Sequence, residues 1–255
     1  NKPYLLTDYN EQTAPIDIEA MVFLQCDADP PYFEDEAAWV AENAKADPRI
    51  RGMVAWAELE KGAAVADDLA RLKKFEILRG IRRLIQSEPD LDFCLRPDFI
   101  EGVRTLAQFD LSFDICIFYP QFANAITFAG KVDNVPMILD HIGKPGIKEG
   151  LLEPWRSQMF ELAQMDHVVC KLSGVATEAD HANWTVDQLR PYIDTTLEAF
   201  GFDRVIFGGD WPVAVQAVAY PRWVEIVDEA LAGESEENQR KVWRDNANRF
   251  YRLGL

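Results

Sequence analysis

The 255-residue chain is poor in histidine, with three, and in cysteine, with four, and it contains no run of about 18 uncharged apolar residues, so nothing in it reads as a membrane span. Cys26, Cys94, Cys116 and Cys170 are scattered singly, with no CxxC, which excludes a zinc-finger or disulfide scaffold. Three of them lie inside apolar runs and read as buried thiols of a reducing, cytoplasmic compartment. Positive charge is also scarce. With 43 acidic against 26 basic residues and a formal charge of -17, neither nucleic acid nor an anionic membrane surface suits the chain as a general partner. No GxGxxG or GxxxxGK[ST] follows the first strand, which counts against a nucleotide site. The chain opens on Asn1-Lys2-Pro3 without an initiator methionine, so a segment ahead of it is expected.

What is present is a repeating α/β pattern over 1–255, with 48% hydrophobic residues, enough for one large domain. Apolar runs of strand length fall at Ala20–Cys26, Gly52–Glu58, Leu78–Leu84, Leu111–Phe118, Val135–His141, His167–Ser173 and Arg204–Asp210. Between them the pattern predicts helices over Glu34–Lys45, Ala63–Lys74, Pro97–Phe109, Gln121–Ala129, Pro154–Gln164 and Thr185–Phe200, the last broken at Pro191. Pro221–Ala232 and Glu236–Tyr251 close the chain, and near the start Thr7 is the expected N-cap of a short helix ended by Pro15. The strand starts lie about 24 to 37 residues apart, room for one strand, one helix and two loops each. Seven such units point to a closed parallel barrel or a long doubly wound sheet. Seven is one short of the (β/α)8 TIM barrel, and residues 1–19 resemble the end of a βα unit, so a first strand upstream is expected to be missing from this chain.

In such barrels the chemistry sits at the carboxyl ends of the strands. Those ends carry Gln25, Cys26 and Asp27; Glu58; Arg82 and Arg83; Asp114; Asp140 and His141; Lys171 and Ser173; and Asp210 with Trp211. The stretch Val135–Pro145, VPMILDHIGKP, is the most informative, because a buried strand ends there on an Asp-His pair and then turns away. His141 can ligate a metal or bond a substrate carbonyl; the bland alternative is a histidine tied to a backbone carbonyl. Asp210 follows Gly208-Gly209 and precedes Trp211-Pro212, and can hold a metal or take a proton from water unless it only caps the next helix. One of Arg82 and Arg83 faces inward, where it would suit a substrate, and the other forms a surface ion pair. Asp114 and Lys171 interrupt apolar strands and either belong to the site or bridge barrel strands. His167 starts a strand and belongs at the opposite end, while His181 lines a rim. Trp223, Trp243 and Tyr251 pack outer helices or form a subunit contact, such as a homodimer.

DHIGKP at 140–145, KLSG at 171–174 and FGGDWP at 207–212, in that order on successive strands, resemble the amidohydrolase-related family of metal-dependent TIM-barrel hydrolases. Within it the pattern is similar to the sugar-lactonase group, with 2-pyrone-4,6-dicarboxylate lactonase as a cousin. The resemblance runs from Tyr4 to the C-terminal NANRFY and implies a single barrel domain whose substrate is a small molecule. It implies catalytic roles for Asp210 and His141, the same pair as ligands of a divalent metal such as zinc, and substrate contacts from Arg82, with Asp114 and Trp211 added at neighbouring tips. The family's HxH pair on the first strand is absent from this sequence. The implied reaction is opening of a small cyclic ester, a sugar-acid lactone, by Asp-activated water. A metal-dependent decarboxylase and a non-catalytic ligand-binding barrel are the alternatives.

Overall fold

A computed structural model describes residues 3–255. Its seven strands are β1 (Met21–Leu24), β2 (Ile50–Ala55), β3 (Leu78–Ile81), β4 (Ser112–Ile115), β5 (Met137–Leu139), β6 (Val168–Leu172) and β7 (Val205–Phe207). They form one sheet, parallel throughout and ordered β1 to β7, so every crossover carries at least one helical segment and the fold is α/β. Each expected strand is present but shorter than its apolar run. In β5 the ladder stops at Leu139, and the polar tip Asp140–Gly143 turns out of the sheet as a short irregular helix.

The period of two along a strand sorts the residues into two layers. Met53 and Ala55 of β2, Phe113 and Ile115 of β4, Met137 and Leu139 of β5, Cys170 and Leu172 of β6 and Val205 of β7 pack into the large core beneath the helices. The alternate residues Val54, Ile138 and Ile206 meet Tyr251 and Leu253 of the C-terminal segment in a second buried cluster. Residues from β2, β5 and β7 converge there, so the sheet curls around this cluster, which fills its interior. The edges differ from the centre. β4 and β5 are buried throughout, whereas all four residues of β1 are half-buried, and β1 and β7 do not pair with each other.

Two helix expectations need correction. Thr7 lies inside the first helix, Leu6–Thr13, whose N-cap is Leu5; the Asp8 carboxylate reaches back to accept from the Leu5 N–H at 2.9 Å and does the capping. Pro191 does not break its helix, which runs Val186–Phe200. Thr185 and Gln188 form a capping box at its start, and Leu189, Tyr192, Ile193 and Thr196 are buried on its inner face, so packing outweighs the one backbone hydrogen bond that an exposed proline forgoes. The closing helix is continuous over 236–251 but holds a π-helical turn at Lys241–Asp245.

Candidate active site

His141 owes its position to an unusual backbone. His141, Ile142 and Lys144 all have left-handed φ, at 52°, 50° and 48°, and Gly143 between them has 73°. For β-branched Ile142 this is a strained conformation of the kind that persists only where surroundings enforce it. Here Ile142 is fully buried and its carbonyl accepts from Trp155 Nε1 at 2.7 Å. Two glycines make the turn possible. A Cβ on Gly143 would lie 2.4 Å from the Phe122 ring, and one on Gly174, itself at φ 61°, would lie 2.9 Å from His141 Nδ1. The β6 loop therefore closes directly on the imidazole, and Ser173 Oγ shares a hydrogen bond with Nδ1 at 2.9 Å. Burial lowers the His141 pKa more than the carboxylates of Asp210 and Asp140 raise it, so the ring is neutral at neutral pH. With Nδ1 engaged, Nε2 is the nitrogen left for chemistry, and it faces Asp210 Oδ1 across 3.7 Å. Asp210 is also left-handed, at φ 49°, and its side chain is 11% exposed. It does not cap the helix that follows: the Ala214 N–H bonds the Asp210 backbone carbonyl, and the carboxylate stays at the mouth.

Below this pair lies a buried lattice of charge. Because Ile138 faces inward, so does Asp140 two residues on; the same parity turns Asp114 and Lys171 inward. Lys171 Nζ donates to Asp114 Oδ2 at 2.9 Å and to Asp140 Oδ1. Arg82 donates to Asp140 Oδ2 at 2.9 Å and to the Gln25 carbonyl at 2.6 Å. Tyr251 donates its hydroxyl to Asp114 Oδ2 at 2.9 Å. Burial works against ionising Asp140, but Lys171 and Arg82 overcome it and hold that carboxyl well below its usual range. Asp114 has weaker support, and burial pushes it up to about 6. Three buried atoms around this lattice have no hydrogen-bond partner: Gln25 Nε2, Arg82 Nε and Asp114 Oδ1.

The strand tips thus separate into two groups. Arg82 is the inward arginine, while Arg83 points out to Glu60 and Glu88 and stacks on Phe93. Asp114 has no exposed surface and bridges strands to Lys171, which removes it from direct reach of a substrate at the mouth. Trp211 is held by the first helix: its Nε1 donates to Gln12 Oε1 at 2.8 Å, and Tyr4 and Tyr9 meet its ring edge-on. Glu58 pairs with Lys61 on the surface, away from the pair. His167 precedes β6 and bonds the Ala129 carbonyl, and His181 bonds the Thr177 carbonyl. Trp223 and Tyr251 are buried, which assigns both to packing.

A cleft of about 700 Å³ opens between the loops that follow β4, β5 and β6, lined by Phe118, Tyr119, Pro145, Lys148, Thr177 and Glu178 among others. Its wall does not include His141 or Asp210, but Glu178 feels the charges of Lys144, Asp210 and His181, and burial pushes its carboxyl up to about 6. Nothing in the sequence singles out Glu178, which lies in a loop beyond the strand tip with no pattern around it. For Tyr251, expected on an outer helix or in a subunit contact, helical periodicity carries no sign that the residue turns into the interior of the curled sheet.

The amidohydrolase family model matches residues 4–253. The chain belongs to the amidohydrolase family. Among its relatives, the L-fucono-1,5-lactonase of Burkholderia multivorans is 34% identical over 230 residues, covering 86% of this chain and 77% of that one. The L-rhamnono-gamma-lactonase of Scheffersomyces stipitis is 22% identical over 299 residues, covering 96% and 88%. A crystal structure of a Burkholderia multivorans amidohydrolase with bound zinc superposes with a TM-score of 0.89 at 32% identity, covering 98% of this chain and 89% of that one. The 5-carboxyvanillate decarboxylase of Sphingomonas paucimobilis, at a TM-score of 0.67 and 14% identity, shares the fold alone.

Whether this amidohydrolase chain offers a zinc site can be judged from its donors. Among the described residues one group of three side chains lies close enough, Cys116, Asp140 and His141, all buried. It does not fit: Asp140 is already neutralised by Arg82 and Lys171, and burial pushes the Cys116 thiol up to about 11, so a divalent ion would meet two buried cations and a protonated sulfur. His141 Nε2 and Asp210 Oδ1 are donors of the right chemistry, but a catalytic zinc takes three protein ligands and they supply two. The described residues therefore do not complete a zinc shell.

Proposed function

We propose that this amidohydrolase opens a small cyclic ester, most fittingly a sugar-acid lactone, at the mouth pair His141 and Asp210. The observation that carries the reading is a neutral imidazole nitrogen and a carboxylate 3.7 Å apart on two strand tips, set above a lattice whose other charges are already paired. The lactonase names of the relatives support the substrate class. In this mechanism Asp210 accepts a proton from water as its oxygen attacks the lactone carbonyl. His141, locked by Ser173 and the β6 loop, orients the carbonyl or the water through Nε2. When the tetrahedral intermediate collapses the ring C–O bond breaks, and Asp210 returns the proton to the leaving alkoxide, so the carboxylate is regenerated.

The same reading includes the eight-stranded barrel, with a further strand and its HxH pair between β7 and β1. The unpaired edges there and the half-buried apolar face of β1 support it, since the strands of parallel sheets are otherwise covered on both faces. It also includes a cytoplasmic setting, supported by four free cysteines, and a homodimer, for which exposed Tyr32 and Trp39 offer an apolar patch. The test is proton release from a panel of sugar-acid and unsubstituted lactones, run in parallel with chelator and with added zinc. Turnover on one or more lactones is expected. Its absence across the panel, with carbon dioxide released from aromatic acids instead, would replace this reading with the decarboxylase.

A further inference from the structure

We infer that Glu178 is the specificity-determining residue of the site, its carboxylate accepting hydrogen bonds from the ring hydroxyls of a polyhydroxylated substrate bound in the cleft between the β4, β5 and β6 loops. This rests on the lactonase reading for the bond that is cleaved, but not for the recognition itself.

The Glu178 carboxylate is distinguished by what it lacks. It lines the cleft, is half-buried, and has no hydrogen-bond or ion-pair partner, although Lys144, Asp210 and His181 all act on it through space. The basic side chains around it do not pair with it, Lys148 of the cleft wall included. Lys144 donates to Gln86 Oε1 and lies 4.9 Å over the Phe118 ring, and His181 is bonded to the Thr177 carbonyl. An acceptor partly removed from water and left unpaired is costly, and hydroxyl donors are the ligand groups that relieve it without bringing a charge. The rest of the lining suits the other face of a sugar ring. Phe118 is 41% exposed at the cleft and, with Tyr119, Pro120 and Pro145, offers apolar surface to ring C–H groups. Charge favours the same class: the chain carries a net charge of -17, and in the cleft Glu149, Glu178 and Asp180 outnumber Lys148, which disfavours an acid and suits a neutral polyol. The loop that carries Glu178 also closes on the mouth: Gly174 packs against the His141 ring, and Thr177 Oγ1, next to Glu178, donates to the Gly174 carbonyl at 2.7 Å, so hydroxyls held by Glu178 would lie on the same loop that locks the imidazole.

The test compares kcat/KM on L-fucono-1,5-lactone with that on δ-valerolactone, which has the same ring size and no hydroxyls. Glu178→Ala is expected to lower the ratio of the two by about tenfold to hundredfold, the loss of one or two charge-assisted hydrogen bonds. Glu178→Gln, which keeps one acceptor oxygen and the side-chain shape, is expected to fall between. A merely structural role would depress both substrates together, and a ratio within about threefold of wild type in both variants overturns the inference. If the wild type opens neither lactone, the lactonase reading fails and recognition is read by binding instead, using L-fucose, which carries ring hydroxyls and no ester. L-Fucose signals that saturate with the wild type and vanish with Glu178→Ala, followed by saturation-transfer NMR, uphold the inference; equal or absent binding overturns it.

Discussion

Two clusters of ionisable groups lie one above the other within the curled sheet, and they are built in opposite ways. The interior cluster, Arg82, Asp114, Asp140, Lys171 and Tyr251, is densely paired, with each carboxylate facing at least one cation at about 3 Å or less. The mouth cluster, His141, Asp210 and Glu178, is sparsely paired: one hydrogen bond shared between Ser173 and the imidazole, a 3.7 Å gap to Asp210, and a glutamate with no partner. Buried charges must be paired to be tolerated, whereas groups that act on a substrate must keep a lone pair or a proton free. Ion pairing separates structure from chemistry here better than residue type does, since both clusters contain aspartates at strand tips.

The widest separation between the clusters should appear on exchanging Asp210 for Asn. Asparagine has the same shape and, like aspartate, tolerates the left-handed φ of 49° at this position, so the fold should be kept. The carboxylate that takes the proton is gone, and kcat should fall by about three orders of magnitude or more, with the urea midpoint little changed. Activity within about tenfold of wild type would remove Asp210 from the mechanism.

The interior cluster should respond in the reverse sense. Lys171→Met keeps the length of the side chain but leaves Asp114 and Asp140 facing each other with only Arg82 to balance them. Removing one partner from a buried ionic group costs about 3–5 kcal/mol, read as a lowered urea midpoint at unchanged m-value. A loss below about 1 kcal/mol would mean that the lattice is not what holds the β3 to β6 tips together, and the contrast between the clusters would dissolve.

How much of this was legible beforehand follows the range of the interactions. The seven strands were readable because their signal, an uninterrupted apolar run ending in polar residues, is local. The tips of β5 and β7 were readable for the same reason, and His141 and Asp210 do face each other. Which of Arg82 and Arg83 points inward depends on register against β4, and the structure settles it through Asp140. The pairing of Asp114 with Lys171 spans 57 residues and that with Tyr251 spans 137, distances over which a single sequence carries no local pattern. The continuity of the helix through Pro191 was hidden likewise, because the buried face that overrides the proline is defined by what packs on it. Glu178 was hidden because what sets it apart is a missing partner, which depends on the packing of loops far apart in sequence.

The smallest effect concerns that glutamate and the sign of its contribution to stability. Burial raises its folded-state pKa from 4.5 to about 6. Below pH 4.5 the carboxyl is protonated in both folded and unfolded chains and contributes nothing. Between about pH 4.5 and 6 the unfolded chain releases its proton first, so stability falls as pH rises, and above pH 6 the cost is constant. Discounted for partial exposure, that cost is about 1 kcal/mol. Glu178→Gln, uncharged at every pH, should therefore stabilise the protein by about 1 kcal/mol at pH 8, with the gain falling to less than about half of that at pH 5, as read from urea midpoints of the two proteins at both pH values. The same variant is expected to lose selectivity for hydroxylated lactones, so a carboxylate kept at the mouth at a cost to the fold would mark the sparsely paired cluster as functional. A gain at pH 5 as large as that at pH 8 would show that burial of the carboxylate is not its source, and would leave Glu178 no different from the paired acids beneath it.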